Sequence, residues 1–292
     1  MIRWILLVLA LSCAWRGYRR FHPTTLEVIF WDVGQGDSAL VRFPGGNTWL
    51  IDAGGGFQDW DVGRRILYGE LARLGVLSID AAILSHPDQD HGYGFQGLWR
   101  GITAREFWVN GREDLARPKP LLRRLFRAAA VEEIAVRLIE EEERSTVSGA
   151  QVRAIPLGAP EEPSNNRALA LWIEWKGCSF AFTGDMERKP EGELFRRIPS
   201  VTVLKVAHHG SKTSSFPESL MRAHPEWAVL SSGAGNHYGH PHPRIMERLR
   251  NLGAIALRTD FHGFVRFTVS SEGTIQCESG RGLCGLRRCE EP

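Results

Sequence analysis

Neither sign of charge prevails in this 292-residue chain: 36 Lys and Arg stand against 34 Asp and Glu, a formal net charge of +2. That excludes the bulk polycation of a domain built around nucleic acid, so any contact with a polyanion has to be local. An apolar run long enough to cross a bilayer comfortably, about 20 residues, is also missing; the nearest approach, WILLVLALSCAW at Trp4 to Trp15, falls short. No repeat of solenoid period and no Pro- or Ser-rich linker divides the chain, and the cysteine spacings match no zinc pattern. What is there is globular: 43% hydrophobic and 24% charged residues, ample for a core.

Residues 1–23 read as a membrane anchor or export signal. Trp4 and Trp15 bracket the apolar run as interface anchors do, with a buried amphipathic helix as the alternative. Arg16, Arg19 and Arg20 behind it favour a cytoplasmic downstream side, whereas Cys13 after Ala10-Leu11-Ser12 resembles an export cleavage site, so the orientation stays open. Residues 24–270 form one globular domain, and 271–292 a Gly- and Arg-rich tail carrying Cys277, Cys284 and Cys289. Two cysteines pair if the chain is exported; otherwise the tail is a solvated appendage. The basic residues are nearly all Arg, clustered at Arg117 to Arg127, Arg196-Arg197 and Arg287-Arg288, mostly as solvated faces.

From Leu26 the pattern is strand-turn-strand, with a hairpin connection at Phe43 to Asn47. Asp61 to Gly75 has helical spacing, Ile79 to Leu84 reads as a buried strand, and Arg117 to Arg137 as an amphipathic helix followed by an exposed acidic run, Glu140 to Glu143. A second β-rich half follows, then a helix at Pro243 to Leu252 and a strand at Gly263 to Val269. Two comparable halves of alternating strands and helices predict an α/β fold in four layers, an αββα sandwich, against an ordinary doubly wound sheet.

Three strands deliver polar clusters at their carboxyl ends: His86-Pro87-Asp88-Gln89-Asp90-His91, then Asp185, then His208-His209. Imidazole and carboxylate together suit Zn²⁺, Mn²⁺ or Fe²⁺, and no nearby Cys argues for a thiolate site. A capped surface loop would account for the hexad alone but not for all three clusters.

The hexad resembles the H-x-H-x-D-H signature of the metallo-β-lactamase superfamily, with Asp88 where the second His usually stands. More narrowly, the chain is similar to the hydrolase domain of ComEC-type DNA-uptake proteins. The matching segments are DVGQGDS from Asp32, Ile51 to Gly54, SHPDQDHGYG from Ser85, Asn165 to Arg167, Thr183 to Asp185, LKVAHHGSKTSS from Leu204, Tyr238 to Pro241 and Arg258 to Asp260. The resemblance implies an αββα hydrolase with two divalent metal ions, Zn or Mn. One would sit on His86 and Asp88, with Asn165 or Asn166 near the usual third His. The other would sit on Asp90, His91 and His209, with Asp185 bridging and His208 the alternative to His209. A first site so poor in nitrogen ligands is expected to be partly occupied.

Asp32 and Asp37 either form turns beside Gly34 and Gly36 or orient the His ligands, and Asp52 supports the metal loop. Lys212 contacts a phosphate or merely precedes the helix near Phe216, and His240, between Gly239 and Pro241, is a candidate general acid or phosphate donor. The expected chemistry is phosphodiester hydrolysis, with Asp90, Asp185 and His240 catalytic. The resemblance implies DNA as substrate and a DNA-uptake channel protein as partner; because the overall charge is near neutral, phosphates have to be met by a few cations near the site, such as Lys205, Lys212 and Arg258. The alternatives are a phosphodiesterase on a non-DNA diester, a catalytically weak DNA- or partner-binding module and, last, a β-lactamase.

Overall fold

The computed structural model of the protein describes residues 23–57, 60–113 and 115–289. Apart from Pro23, the segment expected to anchor or export the chain lies outside them, and among the described residues no helix is long and apolar enough to cross a membrane.

The first half folds into β1 (Leu26–Phe30), β2 (Ala39–Arg42), β3 (Thr48–Ile51), a small hairpin of β4 (Gly56–Phe57) and β5 (Trp60–Asp61), then β6 (Ser78–Ile83), β7 (Thr103–Asn110) and β8 (Ala135–Ile139). The second half contributes β9 (Glu143–Val147), β10 (Ala150–Pro156), β11 (Leu169–Trp175), β12 (Cys178–Phe182), β13 (Val203–Lys205), β14 (Trp227–Leu230) and β15 (Ile255–Arg258). The chain then returns to the first sheet with β16 (Val265–Val269), β17 (Thr274–Ser279) and β18 (Gly282–Arg288). One sheet runs β18-β17-β16-β1-β2-β3-β6-β7-β8 and the other β15-β14-β13-β12-β11-β10-β9.

Because strand side chains alternate in direction, each central strand feeds two cores. On β1, Val28 and Phe30 pack between the sheets while Ile29 faces the outer helices. On β11, Leu171 and Ile173 face inward while Ala170 and Trp172 face the other helical layer. The inter-sheet core is aromatic, with Phe30 against Phe182 at 5.7 Å between ring centroids and Trp227 against Phe267 at 5.7 Å. Strands buried on both faces show no polar alternation, which is why they read in the sequence as unbroken apolar runs. The four layers match the expected αββα sandwich.

Three local expectations are corrected. The helix placed at Arg117 to Arg137 is confined to Pro120–Val131, because Ala135–Ile139 pairs with β7 as the parallel edge strand β8. The acidic run is not uniformly exposed: Glu142 accepts from Arg144, Arg153 and Arg197 at 2.8 Å each, tying β9 and β10 to the helix Arg188–Arg197. The cysteine-bearing segment is no appendage. Residues 274–288 extend the first sheet by two strands, and Cys178–Cys289 and Cys277–Cys284 are disulfide-bonded.

Candidate metal centre

The pocket lies where β6, β12 and β13 end, on the edge between the two sheets. After β6, Ser85 and His86 continue into a helical turn, Gln89–Gly92, which carries Asp90 and His91. Gly36 lets the preceding loop press against this turn: a Cβ there would collide with the Asp90 carbonyl, and its φ of 131° suits glycine. Asp37 N–H then donates to Asp90 O at 3.1 Å, locking loop to turn. After β13 the chain turns through two consecutive left-handed residues, His208 (φ 51°) and His209 (φ 54°). Such backbone is costly for non-glycine residues, and it is what aims both imidazoles back over the strand end.

One ligand atom from each of Asp90, His91, Asp185 and His209 lies within 4.8 Å of the others. His91 Nε2 is 3.1 Å from Asp185 Oδ1, and His209 Nε2 is 3.4 Å from Asp185 Oδ2 and 3.3 Å from Asp90 Oδ2. His86 Nε2 stands 3.9 Å from Asp185 Oδ2 and 3.8 Å from Asp88 Oδ2. All three Nε2 atoms are buried without an aligned hydrogen-bond partner.

The far side of each ring explains that direction. His209 Nδ1 is 2.9 Å from the Ser231 carbonyl, which only accepts, so Nδ1 carries the proton and Nε2 presents a lone pair. His91 Nδ1 donates to Asp52 Oδ2 at 2.8 Å. Ser85 Oγ donates to the same Asp52 oxygen at 2.7 Å and can therefore accept from His86 Nδ1, 3.0 Å away. One carboxylate thus sets two imidazoles, an arrangement typical of metal-ligating histidines.

Lone pairs facing carboxylates in a buried pocket repel unless a proton or a cation lies between them. Burial opposes charge on His91 and His209, but Asp185 with Asp52 and Asp37 outweighs it for the first, and Asp185 with Asp37 for the second, raising both well above the imidazole range. Asp90 is desolvated, yet His209 and His91 hold it below the usual carboxylate range. The donor set, nitrogen and oxygen without sulfur, fits a borderline divalent cation. A second acidic group, Asp37, Asp52 and His91, already has a cation beside it, because the buried Lys205 ammonium pairs with Asp37. Burial raises the Asp37 carboxyl, but Lys205, His209 and His91 bring it down to about 2.

Of the sequence-predicted residues, the structure brings together His86, Asp90, His91, Asp185 and His209, with Asp37 and Asp52 beneath them. Asp88 is beside them but shared: one oxygen faces His86, while the other takes the Lys119 ammonium and the Ser164 hydroxyl. His208 flanks the pocket, its Nε2 3.8 Å from Asp185. His240 stands 6.2 Å from His209 between ring centroids, its backbone clamped by Asn236. Burial and the neighbouring His209 and His208 push the His240 imidazole down to about 4, so it is neutral near pH 7.

For Asp32 the structure takes the turn alternative, and other expected residues are placed elsewhere. Asp32 is exposed and forms a turn, accepting from Gly34 N–H at 3.1 Å. Asn166 does not face the hexad; its side-chain oxygen accepts from Glu187 N–H at 3.2 Å, and Ser164 reaches Asp88 instead. Lys205 is buried on Asp37, and Arg258 is held by Asp260 at 2.6 Å and 3.0 Å, so of the three cations only Lys212 is exposed. Ser85, Lys119 and Ser231 carry no signal in the sequence that assigns them a role at the site. Ser85 adjoins the hexad, but nothing local marks a serine as a relay.

A family model of the metallo-β-lactamase superfamily matches residues 31–233. ComE operon protein 3 of Bacillus subtilis strain 168 is 32% identical over 257 residues, 82% of this chain and 33% of its own length. Competence protein ComA of Neisseria gonorrhoeae is 29% identical over 285 residues, 92% of this chain and 36% of its own. The chain thus spans about a third of the length of these curated relatives. Among solved structures, CmlA, a diiron β-hydroxylase from Streptomyces venezuelae, aligns with a TM-score of 0.57 at 17% identity over 85% of this chain and 54% of that one. The metallo-β-lactamase fold protein YhfI from Bacillus subtilis gives 0.53 at 11% over 80% and 95%. At such identities the structural likeness is one of fold. Since the matched span includes all three strands that deliver the pocket's carboxylates and imidazoles, sequence and geometry agree: the chain belongs to the metallo-β-lactamase superfamily.

Proposed function

We propose that this protein is a metal-dependent phosphodiester hydrolase that acts as a nuclease on DNA, with two divalent ions, zinc or manganese, as cofactors. The observation carrying the reading is the set of unpartnered, buried Nε2 atoms of His86, His91 and His209 turned toward Asp90 and Asp185. In this reading Asp90, His91 and His209 would hold one ion, His86 and Asp88 would hold the other, and Asp185 would serve both. When bound, the ions supply Lewis acidity that makes water nucleophilic near neutral pH and offsets charge on phosphoryl oxygens. Asp90 and Asp185 orient the attacking water. His240, neutral near pH 7, is better suited to donate a hydrogen bond to a phosphoryl oxygen than to act as a proton reservoir. Lys212 contacts a flanking phosphate.

DNA as substrate is supported by the likeness to ComE operon protein 3 and to competence protein ComA. A cleft of about 500 Å³ lined by Arg64, Arg65, Arg100 and Tyr93 lies beside the hexad turn. Arg65 stacks on the exposed Trp60 at 5.0 Å, a pairing of cation and aromatic face suited to single strands. The two disulfides suit an oxidising compartment and so support a place in the cell envelope, where in this reading the domain is anchored or exported through residues 1–23 and has a DNA-uptake channel protein as partner.

The test is cleavage of unrelated single- and double-stranded DNAs, and of a small bis-phosphodiester, with added Mn²⁺ or Zn²⁺ across salt. With few cations free to meet phosphates, sequence-independent cleavage and a shallow salt dependence are expected, about −0.7 in log–log slope per contact on single strands. Turnover of the small diester without DNA cleavage points to a small-substrate phosphodiesterase. DNA binding without either reaction points to a binding module.

A further inference from the structure

We propose that Lys119 is a built-in counter-cation of the first metal position, so that the chain holds one divalent ion tightly and admits a second only in competition with its own ammonium. The inference rests on the metal-dependent reading above. The tight position is the cluster of Asp90, His91, Asp185 and His209; among the described residues the groups that converge within 4.8 Å do not include His86 or Asp88. Asp88 has one oxygen 3.8 Å from His86 Nε2, open to a shared cation. Its other oxygen is taken by Lys119 and, at 3.1 Å, by Ser164.

Nothing in the helix that follows Lys119 accounts for a cation there; the nearby Glu113 carboxylate feels its charge, but it is Asp88 that takes its hydrogen bond. Lys119 precedes the helix Pro120–Val131, whose first turn holds no acidic residue, and its side chain makes no capping bond. A positive charge at a helix N-terminus opposes the helix dipole, so the position is unfavourable until Asp88 is considered. Pro118 and Pro120 flank it, and its extended backbone (φ −49°, ψ 148°) is the conformation that a following proline imposes. The side chain is therefore launched from a fixed point toward Asp88.

Two consequences follow for an incoming ion. It loses one carboxylate oxygen, and it meets a like charge across a few ångströms. The block is reversible, because the Lys119 side chain is 39% exposed and can swing into water, unlike Lys205 at 4% on Asp37.

The metal-free 292-residue chain titrated with Mn²⁺ by calorimetry, with bound metal counted after dialysis, tests this without reference to activity. Wild type is expected to keep one ion and to bind the second at least ~10-fold more weakly. Lys119→Met should tighten the second ion by about 10-fold while leaving the first within about twofold, and Lys119→Arg should behave as wild type. Lys119→Gln, checked by circular dichroism, covers the case in which the Met variant misfolds. Two ions of equal affinity in wild type, or a folded Lys119→Met variant with unchanged second-ion affinity, overturns the proposal while leaving the metal-dependent reading intact. Failure of wild type to bind any ion overturns both.

Discussion

Replacing Asp52 by Asn isolates the hydrogen bonding beneath the metal centre. The position has φ 57°, a region that Asn tolerates well, so the chain path survives the change. What changes is the pattern of donors and acceptors. In the native protein Asp52 accepts three bonds, from His91 Nδ1 at 2.8 Å, Ser85 Oγ at 2.7 Å and Ser85 N–H at 2.8 Å. An amide has one accepting oxygen, so in either orientation at least one buried donor faces an NH₂ group. If the NH₂ faces His91, the imidazole relieves the clash by moving its proton to Nε2, where the cation should bind. A hydrogen bond to a charged acceptor contributes about 1.5–3 kcal/mol, which at 1.4 kcal/mol per decade is roughly 10- to 100-fold in affinity. Loss of an outer-shell partner of a metal-bound histidine falls in the same range. Calorimetric titration of metal-free Asp52→Asn with Mn²⁺ should therefore show affinity at the Asp90–His91 position reduced by about 10- to 100-fold, with an unchanged circular dichroism spectrum. Affinity within about twofold of wild type in a folded variant would refute the argument that Asp52 sets the His91 tautomer.

Asp185→Ala removes the carboxylate that approaches His86, His91 and His209 together, and should abolish hydrolysis and lower bound metal; full activity with unchanged metal content removes Asp185 from the bridging position. Because neighbouring carboxylates raise His91 and His209 in the ion-free pocket, metal uptake near pH 7 should release protons and weaken as pH falls, which calorimetry in buffers of differing ionisation enthalpy can count. For the ion-free chain the sign is the reverse: the stability from these raised groups is complete below an unfolded pKa of about 6.5 and is lost as pH rises through their folded values, so thermal melts without metal should decline on the alkaline side. Burial raises Glu191 to about 8, although it accepts from Ser215 and Phe216 N–H. Between its unfolded value near 4.5 and about 8 the unfolded chain sheds a proton that the folded one keeps, so Glu191→Gln should raise the melting temperature at pH 8 more than at pH 5, and equal shifts at both would contradict the assignment.

Local patterns in the chain determined much of this protein. Apolar runs buried on both faces specified the central strands, and clusters of His and Asp at their carboxyl ends specified where the pocket lies, because strand ends and the residues just beyond them are set by short-range rules. His86, Asp90, His91, Asp185 and His209 were legible for that reason. Residues 274–288 were not, since their outer strand, β18, is largely exposed and rich in Gly and Arg, the composition of a tail, and only pairing with β17, itself paired with β16, makes it a strand. Asn166 and Ser164 could not be told apart by position, because a turn of three residues decides which side chain meets Asp88. Lys205 and Lys119 each look in sequence like a free cation. Tertiary structure alone buries the first on Asp37 and sets the second on Asp88, since the partner of a charge is fixed by which distant strand ends the fold brings together.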